Sequence, residues 1–168
     1  MNQKKVVLSL LVLNHFGVLT RVTNLFSSRG YNIISLSVGE TVNPKFSRIT
    51  FVTAGEEAII RQIKLQCAKL EDVKAIQEVK DQELYMREVV LVKVKVNYMK
   101  EEDFIRFVDA NQAIAKQIDQ QLYMVEMCAS TQSVDAFIDK LEMFEIVEIV
   151  RTGGCALAMS VGTVYDEQ

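Results

Sequence analysis

The residues best placed to bind a small ligand lie where the first apolar segment gives way to an amphipathic one. Asn14 follows the apolar run, and Gly17 stands three residues later, where a helical period begins. The first turn of a helix has unpaired backbone N–H groups and a partial positive charge, so it attracts a carboxylate or a phosphate. Because glycine has no Cβ, it lets such a group approach the backbone closely.

Asn14 could serve the same ligand, because its amide has an acceptor and two donors that suit the ammonium or carboxylate of an amino acid. The flanking residues are apolar: Val12, Leu13, Val18 and Leu19. This surrounding favours a small aliphatic or branched ligand side chain. A purely structural interpretation is also open, in which Gly17 makes a tight turn and Asn14 caps the helix.

The sequence has few of the groups that a catalytic or metal site needs. Its one histidine, His15, has no cysteine or acidic residue near it in sequence, so a nucleophile–base pair is not indicated. The cysteines, Cys67, Cys128 and Cys155, are far apart and lack metal-ligand spacing. No glycine-rich phosphate loop opens a helix. We therefore expect no catalytic residue, no metal and no cofactor on this chain, and three buried thiols.

Composition narrows the class of protein further. The 168 residues are 49% hydrophobic and include 19 basic and 22 acidic residues, for a net charge of -3. This balance gives no electrostatic footprint for nucleic acid or an anionic membrane. No stretch approaches the roughly 20 apolar residues of a membrane helix. The apolar run that ends at Leu13 is followed by no signal-peptide cleavage site. We expect a soluble, cytoplasmic protein.

The first half of the chain is predicted to contain four strands and two helices. Strands are predicted over 5–13, 31–42, 46–53 and 72–79, with a helix over 17–29 and another that opens at Gly55. The inner faces of these helices would be formed by Leu19, Val22, Leu25 and Phe26 in the first and by Ile60, Ile63, Cys67 and Leu70 in the second.

The second half repeats this order of elements. Strands are predicted over 88–97, 114–119, 122–130 and 145–150, with one helix from about Glu101 and another capped by Ser130-Thr131. The polar stretch Lys80–Glu83 would join the halves. The predicted fold is α+β, a tandem of ferredoxin-like βαββαβ units, with domains at 1–80 and 84–168.

A family resemblance adds to this interpretation. The pattern N-x-x-G-V-L-x-R-V-x-x-L-F-S-x-R-G-Y-N-I-x-S-L-x-V, from Asn14 to Val38, resembles the N-terminal ACT domain of acetolactate synthase (acetohydroxyacid synthase) small subunits. The similarity continues through SRITFVT at 47–53 and resumes with DAFIDKLEMFEIVEIVRTGGCAL at 135–157. It covers nearly the whole chain and is weakest across 80–130.

The resemblance implies an N-terminal ACT domain, a C-terminal ferredoxin-like domain and a non-catalytic regulatory role. Such a subunit activates the large catalytic subunit of acetolactate synthase and confers feedback control by valine. Thiamine diphosphate, magnesium and FAD would belong to the catalytic subunit. ACT domains of two copies would pair in a homodimer, with the effector between them. Its contacts carry over to Asn14 and Gly17 of one copy and Asn32 of the other, and Val18 and Ile33 adjoin them.

Two features depart from the family pattern. His15 and Phe16 stand in a loop that is usually small and polar or acidic, so we expect them to alter effector affinity or choice. The tail at 156–162 lacks the basic residue usual near that point. Two rival functions stay open: a free-standing amino-acid sensor without an enzyme partner, and a small enzyme or metal-dependent regulator built on residues 84–152.

Overall fold

The computed structural model of the chain describes residues 4–79, 84–159 and 163. These residues form two compact units, one with the described residues up to Tyr85 and from Gly154 onward, the other with Met86–Gly153. Both units contain the order strand, helix, strand, strand, helix, strand. The predicted α+β fold of tandem ferredoxin-like units is therefore confirmed.

The first unit has a four-stranded antiparallel sheet and two helices. Its elements are β1 (Lys4–Leu13), α1 (Val18–Ser28), β2 (Ile33–Glu40), β3 (Phe46–Gly55), α2 (Glu57–Cys67) and β4 (Val73–Val79). The strand order is β2-β3-β1-β4, so β1 is a central strand and β2 lies at an edge. As an edge strand, β2 can offer unpaired backbone groups to another chain.

The core of the first unit lies between the sheet and the helices. It consists of Val6, Leu8, Leu10, Val12, Val18, Val22, Phe26, Ile49, Phe51, Ile60, Ile63 and Cys67. Alternate residues of β1 enter this core because side chains along a strand point alternately to its two faces. Burying one large apolar side chain of this kind contributes roughly 1.5–3 kcal/mol before the entropy cost of folding.

The buried stripe of α1 differs by one residue from the prediction. Val18, Val22 and Phe26 are buried at four-residue spacing, whereas Leu19 is 39% exposed. The helix begins at Val18 rather than Gly17, which places Val18 under the first turn and turns Leu19 toward solvent. At the other end, Gly30 has a φ of 69°, and the Tyr31 N–H donates to the Phe26 carbonyl at 3.0 Å. The prediction that a glycine ends this helix at its C-terminus is thus confirmed.

A strand that the sequence did not predict, β9 (Cys155–Ala158), belongs to the first unit. The Cys155 thiol lies 3.2 Å from the hydroxyl of Ser37 on β2. Ser9 and Thr50, which face away from the helices, are buried as well. In the structure the described residues from Gly154 onward group with the first unit, and the division into domains at 1–80 and 84–168 stays a prediction. Contacts of this kind, between residues more than 100 positions apart, leave no local sequence pattern.

The second unit repeats the arrangement. Its elements are β5 (Leu84–Lys95), α3 (Glu101–Ala110), β6 (Ile114–Asp119), β7 (Leu122–Ala129), α4 (Thr131–Leu141) and β8 (Glu145–Arg151), with a short 3₁₀ turn at Tyr98–Lys100. The strand order is β6-β7-β5-β8, and the first two residues of β5 belong to the first unit. The core contains Val90, Val92, Val94, Val96, Phe104, Val108, Tyr123, Val125, Met127, Val134, Phe137, Leu141 and Phe144.

Several predicted boundaries shift. β5 begins at residue 84 rather than 88, and Gly55 ends β3 instead of opening α2, whose first residue is Glu57. Ser130 caps α4 as predicted, because its hydroxyl accepts the Ser133 N–H at 3.2 Å. The connector predicted at Lys80–Glu83 lies outside the described residues.

The prediction of three buried thiols is wrong for two of them. Cys67 is buried in the first core, and this burial raises its pKa to about 11. Cys128 and Cys155 are exposed. Cys128 lies on β7 between the core residues Met127 and Ala129, so strand alternation turns its side chain away from the core. Of the described helices, none has the length and apolar character to span a bilayer.

Candidate functional site

Gly17 immediately precedes α1 and has a φ of 85°, in the left-handed region. A residue with a Cβ costs about 1–2 kcal/mol in that conformation, so the turn itself favours glycine. No side chain caps the N-terminus of α1, and its first turn contains no acidic residue. Apart from the Val18 N–H, which donates to the His15 carbonyl at 3.4 Å, the N–H groups of that turn therefore keep their partial positive charge for a ligand.

Asn14 does not cap the helix, so that part of the structural interpretation is wrong. Its Nδ2 donates to the Oε2 of Glu40 and to the carbonyl oxygen of Pro44, each at 3.0 Å. These bonds tie the end of β1 to the β2–β3 hairpin. Within the described part of the chain Oδ1 accepts no hydrogen bond, so the acceptor end of the amide is available to a ligand.

Two charged side chains, Arg21 and Asp72, and the imidazole of His15 converge beside Gly17. Arg21, one turn into α1, places its Nε and its Nη2 each 2.6 Å from the Oδ2 of Asp72, in the connection between α2 and β4. The other carboxylate oxygen of Asp72 lies 3.0 Å from the Nε2 of His15. The Nδ1 of His15 lies 3.2 Å from the Phe16 carbonyl. Both ring nitrogens of His15 are thus engaged, one by Asp72 and one by its own loop.

The remaining nitrogen of Arg21 points toward the glycine. A Cβ added to Gly17 would lie 3.1 Å from Nη1 of Arg21. Among the described residues, Nη1 has no hydrogen-bond acceptor. The guanidinium is thus held by Asp72 on one side and directs an unused donor toward the N-terminus of α1 on the other.

Asp72 is held in its charged form by this arrangement. Burial alone would raise the pKa of its carboxyl, but the hydrogen bond and charge of Arg21, with a smaller contribution from His15, lower the pKa below its ordinary value. Asp72 therefore stays ionised at neutral pH and keeps Arg21 in a fixed orientation.

The other predicted contacts lie apart from this cluster. The side chain of Val18 is 3% exposed and belongs to the core, and its backbone N–H donates to the His15 carbonyl at 3.4 Å. Asn32 is exposed at the start of β2, where its carbonyl accepts the hydroxyl of Thr53 at 2.8 Å. Ile33 is partly buried against the first core.

Comparisons with known proteins identify the family. The chain is 36% identical over 153 residues to the acetolactate synthase isozyme 3 small subunit of Salmonella typhimurium, an alignment that covers 90% of this chain and 94% of the relative. The chain belongs to the acetolactate synthase small-subunit family. The small subunit of Haemophilus influenzae is likewise 36% identical, over 88% of this chain and 91% of its own length.

Both units contribute to this membership. Residues 8–75 match the family described as AHAS small subunit-like ACT domain, and residues 87–160 match the small subunit of acetolactate synthase. The crystal structure of the acetolactate synthase small subunit from Thermotoga maritima superimposes with a TM-score of 0.86 at 32% identity, over 92% of this chain and 97% of that one. The resemblance drawn from the sequence is confirmed.

In this small subunit, residues from the two ends of the first sheet cannot meet within one copy. Ile33 lies opposite Thr53, and Thr53 lies opposite Val6, whereas Leu13 marks the end of β1 near Asn14. The seven steps from Val6 to Leu13 span about 24 Å at 3.4 Å per residue. A site that includes both Asn14 and Asn32 therefore requires a second copy.

Sequence reasoning missed Arg21, Asp72 and Glu40. Arg21 carried a usable signal, because a residue four positions after Gly17 lies one helical turn above it. Asp72 and Glu40 carried none, since they reach the site through the α2–β4 connection and the β2–β3 hairpin. Within the described residues, no group of three or more His, Cys, Asp or Glu side chains is arranged to hold a metal ion.

Proposed function

We propose that this chain is the regulatory subunit of an acetolactate synthase, which activates the large catalytic subunit and makes it responsive to valine or a related branched-chain amino acid. The observation that carries the proposal is the separation of charge around Gly17. Arg21, whose charge Asp72 offsets in part, forms a positive pole with the N-terminus of α1, and Asn14 with Glu40 forms a negative one. A zwitterionic α-amino acid has the matching pair of charges.

The positive pole would hold the effector carboxylate. The first N–H groups of α1 and the Nη1 of Arg21 are all donors, and charge-assisted hydrogen bonds to a carboxylate are about twice as strong as neutral ones. Asp72 would act as a positioning residue, because it holds Arg21 through two of its nitrogens. His15, on the other oxygen of Asp72, would support the same geometry.

The negative pole would hold the effector ammonium. The Nδ2 of Asn14 is engaged with Glu40 and Pro44, which turns the acceptor Oδ1 outward. The exposed carboxylate of Glu40 lies within one hydrogen bond of the same amide and adds negative charge. Between the poles, the absence of a side chain at Gly17 leaves room for the α-carbon of the ligand.

The second copy would enter through β2. This edge strand exposes Ile34 and Val38, and Val38, two residues after the core-packed Leu36, shares its face. Two copies related by a two-fold axis would pair their β2 strands antiparallel. That pairing brings the start of one strand, with Asn32 and Ile33, toward Glu40 at the end of the other. The effector-binding set would then be Asn14, Gly17 and Val18 of one copy with Asn32 and Ile33 of its partner.

The chemistry of the holoenzyme would stay on the large subunit. Thiamine diphosphate, magnesium and FAD would be bound there, and this chain would change the activity of that subunit in the cytoplasm without contributing a catalytic group. Relatives of this chain carry the name acetolactate synthase small subunit, which supports a large catalytic partner.

The deciding experiment assays the acetolactate synthase large subunit of the same organism, alone and with this chain, across valine, leucine and isoleucine. We expect this chain to raise the activity and valine to reverse that rise. A valine response that disappears in Asn32→Ala while activation persists would support the shared site. Valine binding without any association with the large subunit would favour a free-standing sensor. The proposal would be refuted if this chain showed no activation of the large subunit and no binding of any of the three amino acids.

A further inference from the structure

The second unit contains a polar groove of about 440 Å³ that lies apart from the candidate effector site. Three connections line it: the end of β5 with the following turn, the β6–β7 hairpin, and the link between α4 and β8. The lining residues are Lys95, Asn97, Lys100, Gln121, Met143, Phe144 and Glu145.

The groove occupies the place in the second unit that the candidate effector site occupies in the first. At the end of β1, the Asn14 N–H donates to the Lys45 carbonyl of the β2–β3 hairpin at 2.8 Å. At the end of β5, the Val96 N–H donates to the Gln121 carbonyl of the β6–β7 hairpin, also at 2.8 Å. The residue before Asn14, Leu13, pairs with Phe46, the first residue of β3. The residue before Val96, Lys95, pairs in the same way with Leu122, the first residue of β7. The two sites are thus built at equivalent backbone positions.

The third connection agrees with this equivalence. In the first unit the link between the second helix and the last strand supplies Asp72 to the site. In the second unit the same link, between α4 and β8, supplies Phe144 and Glu145 to the groove. We propose that the groove is a second ligand site, distinct from the site at Gly17, and that it takes a small carboxylate anion.

The charges favour an anion held by lysines rather than by a helix end. The first turn of α3 contains Glu101, Glu102 and Asp103, which repel an anion from that N-terminus. Lys95 and Lys100 supply two ammonium groups at the groove instead. The Nζ of Lys95 lies 3.7 Å from a carboxylate oxygen of Glu145, which partly neutralises it.

Lys100 is the less neutralised cation. Its Nζ lies 3.5 Å from the carbonyl oxygen of Met143, at the limit of a hydrogen bond, and within the described ranges no carboxylate pairs with it. The Asn97 side chain accepts the Met99 N–H through its oxygen, which leaves its amide hydrogens for a ligand. Gln121 adds a second amide at the groove. Donors therefore predominate, as a carboxylate requires.

The test is an amide NMR titration of the full-length chain at constant ionic strength, with pyruvate, valine and inorganic phosphate as separate probes. We expect saturable shifts at residues 95–100, 121 and 143–145 with pyruvate or valine. The Lys100→Gln variant should weaken this binding about tenfold or more, because it removes a charged hydrogen bond. Lys116→Gln is the matched control, since Lys116 is an exposed lysine of the same unit on β6 and does not line the groove.

Four outcomes would overturn the proposal. The first is chemical shifts that grow linearly with ligand concentration and do not saturate, and the second is a loss of affinity in Lys116→Gln equal to that in Lys100→Gln. The third is saturation by phosphate but by neither carboxylate, and the fourth is chemical shifts confined to residues 14–18. The titration is repeated in a Gly17→Asp background, where the groove should respond as in wild type. Saturable shifts at the groove residues in the Gly17→Asp variant would show that the groove binds its ligand independently of the site at Gly17. Either proposal can therefore fail without the other.

Discussion

Substituting Gly17 by aspartate and by asparagine separates the two reasons for a glycine at this position. Both side chains have nearly the same shape, and both types are among the residues that tolerate a left-handed conformation best. The added Cβ would lie 3.1 Å from Nη1 of Arg21, the mobile end of a long side chain, so it can be accommodated by a small shift. The two variants therefore share backbone strain of about 1 kcal/mol and differ mainly in charge.

That charge decides the expected magnitude. An aspartate carboxylate here would lie where the effector carboxylate is proposed to lie, close to Arg21 and the N-terminus of α1. Two carboxylates 4 Å apart repel by about 4 kcal/mol at the effective dielectric constant of a protein surface. Attraction to Arg21 offsets part of this repulsion but also occupies the donor that the effector needs. We expect Gly17→Asp to bind valine about 100-fold more weakly than wild type, and at least about tenfold more weakly than Gly17→Asn.

The measurement is calorimetric titration of valine into wild type and both variants, with sedimentation as a check on the oligomeric state. Activation of the large subunit should persist in both variants if that subunit docks on another surface. If Gly17→Asp and Gly17→Asn bind valine equally, charge plays no part and the carboxylate does not lie at this helix end. If both bind as wild type does, the site lies elsewhere and Gly17 serves only the turn.

Three further outcomes follow from the described contacts. Because the pKa of Asp72 is lowered, its stabilising contribution is complete above the ordinary value near 3.8 and is lost as pH falls through the lowered value. Asp72→Asn should therefore flatten the stability profile below pH 4, measured by acid denaturation. If two copies pair through β2 as proposed, Val38→Asp on that edge strand should dissociate the pair in sedimentation, whereas Val42→Asp in the adjacent hairpin should not. Arg151→Met removes the ion pair of the buried Glu88 and should lower the free energy of unfolding, measured by urea denaturation, by about 3 kcal/mol. Lys93→Met, which removes a more exposed pair with Glu148, should lower it by less than about 1 kcal/mol.

Much of the fold could be predicted from local pattern. The helical spacing of Val22 and Phe26 and the alternation of Val90, Val92 and Val94 identify buried faces without any knowledge of topology. These patterns work because one face of each element packs on a single core. The prediction failed for β9, a four-residue strand after two glycines, because its packing depends on residues far away in the chain.

The candidate site was predictable only where one short segment builds it. Gly17 stood out because a strand–helix junction often needs the backbone freedom or the close approach that glycine allows, and its positive φ agrees with that choice. The alternative interpretation of Asn14 as a helix cap was wrong, because its partners, Glu40 and Pro44, lie 26 and 30 residues away. Asp72 was missed for the same reason, since the residue that orients Arg21 follows it by 51 positions.

The distance between the two halves of the site has a thermodynamic consequence. Asn14 and Asn32 lie about 24 Å apart along the first sheet, so a ligand that contacts both can bind fully only to a pair of chains. When its free concentration is 100 times its dissociation constant, such a ligand stabilises the paired state by about 2.7 kcal/mol per site. A symmetric pair has two such sites, which would tighten the dimer about 10,000-fold at that concentration. Effector binding and dimer formation are then one linked equilibrium, and any surface of the catalytic subunit that distinguishes the paired from the unpaired state would sense the effector without contacting it.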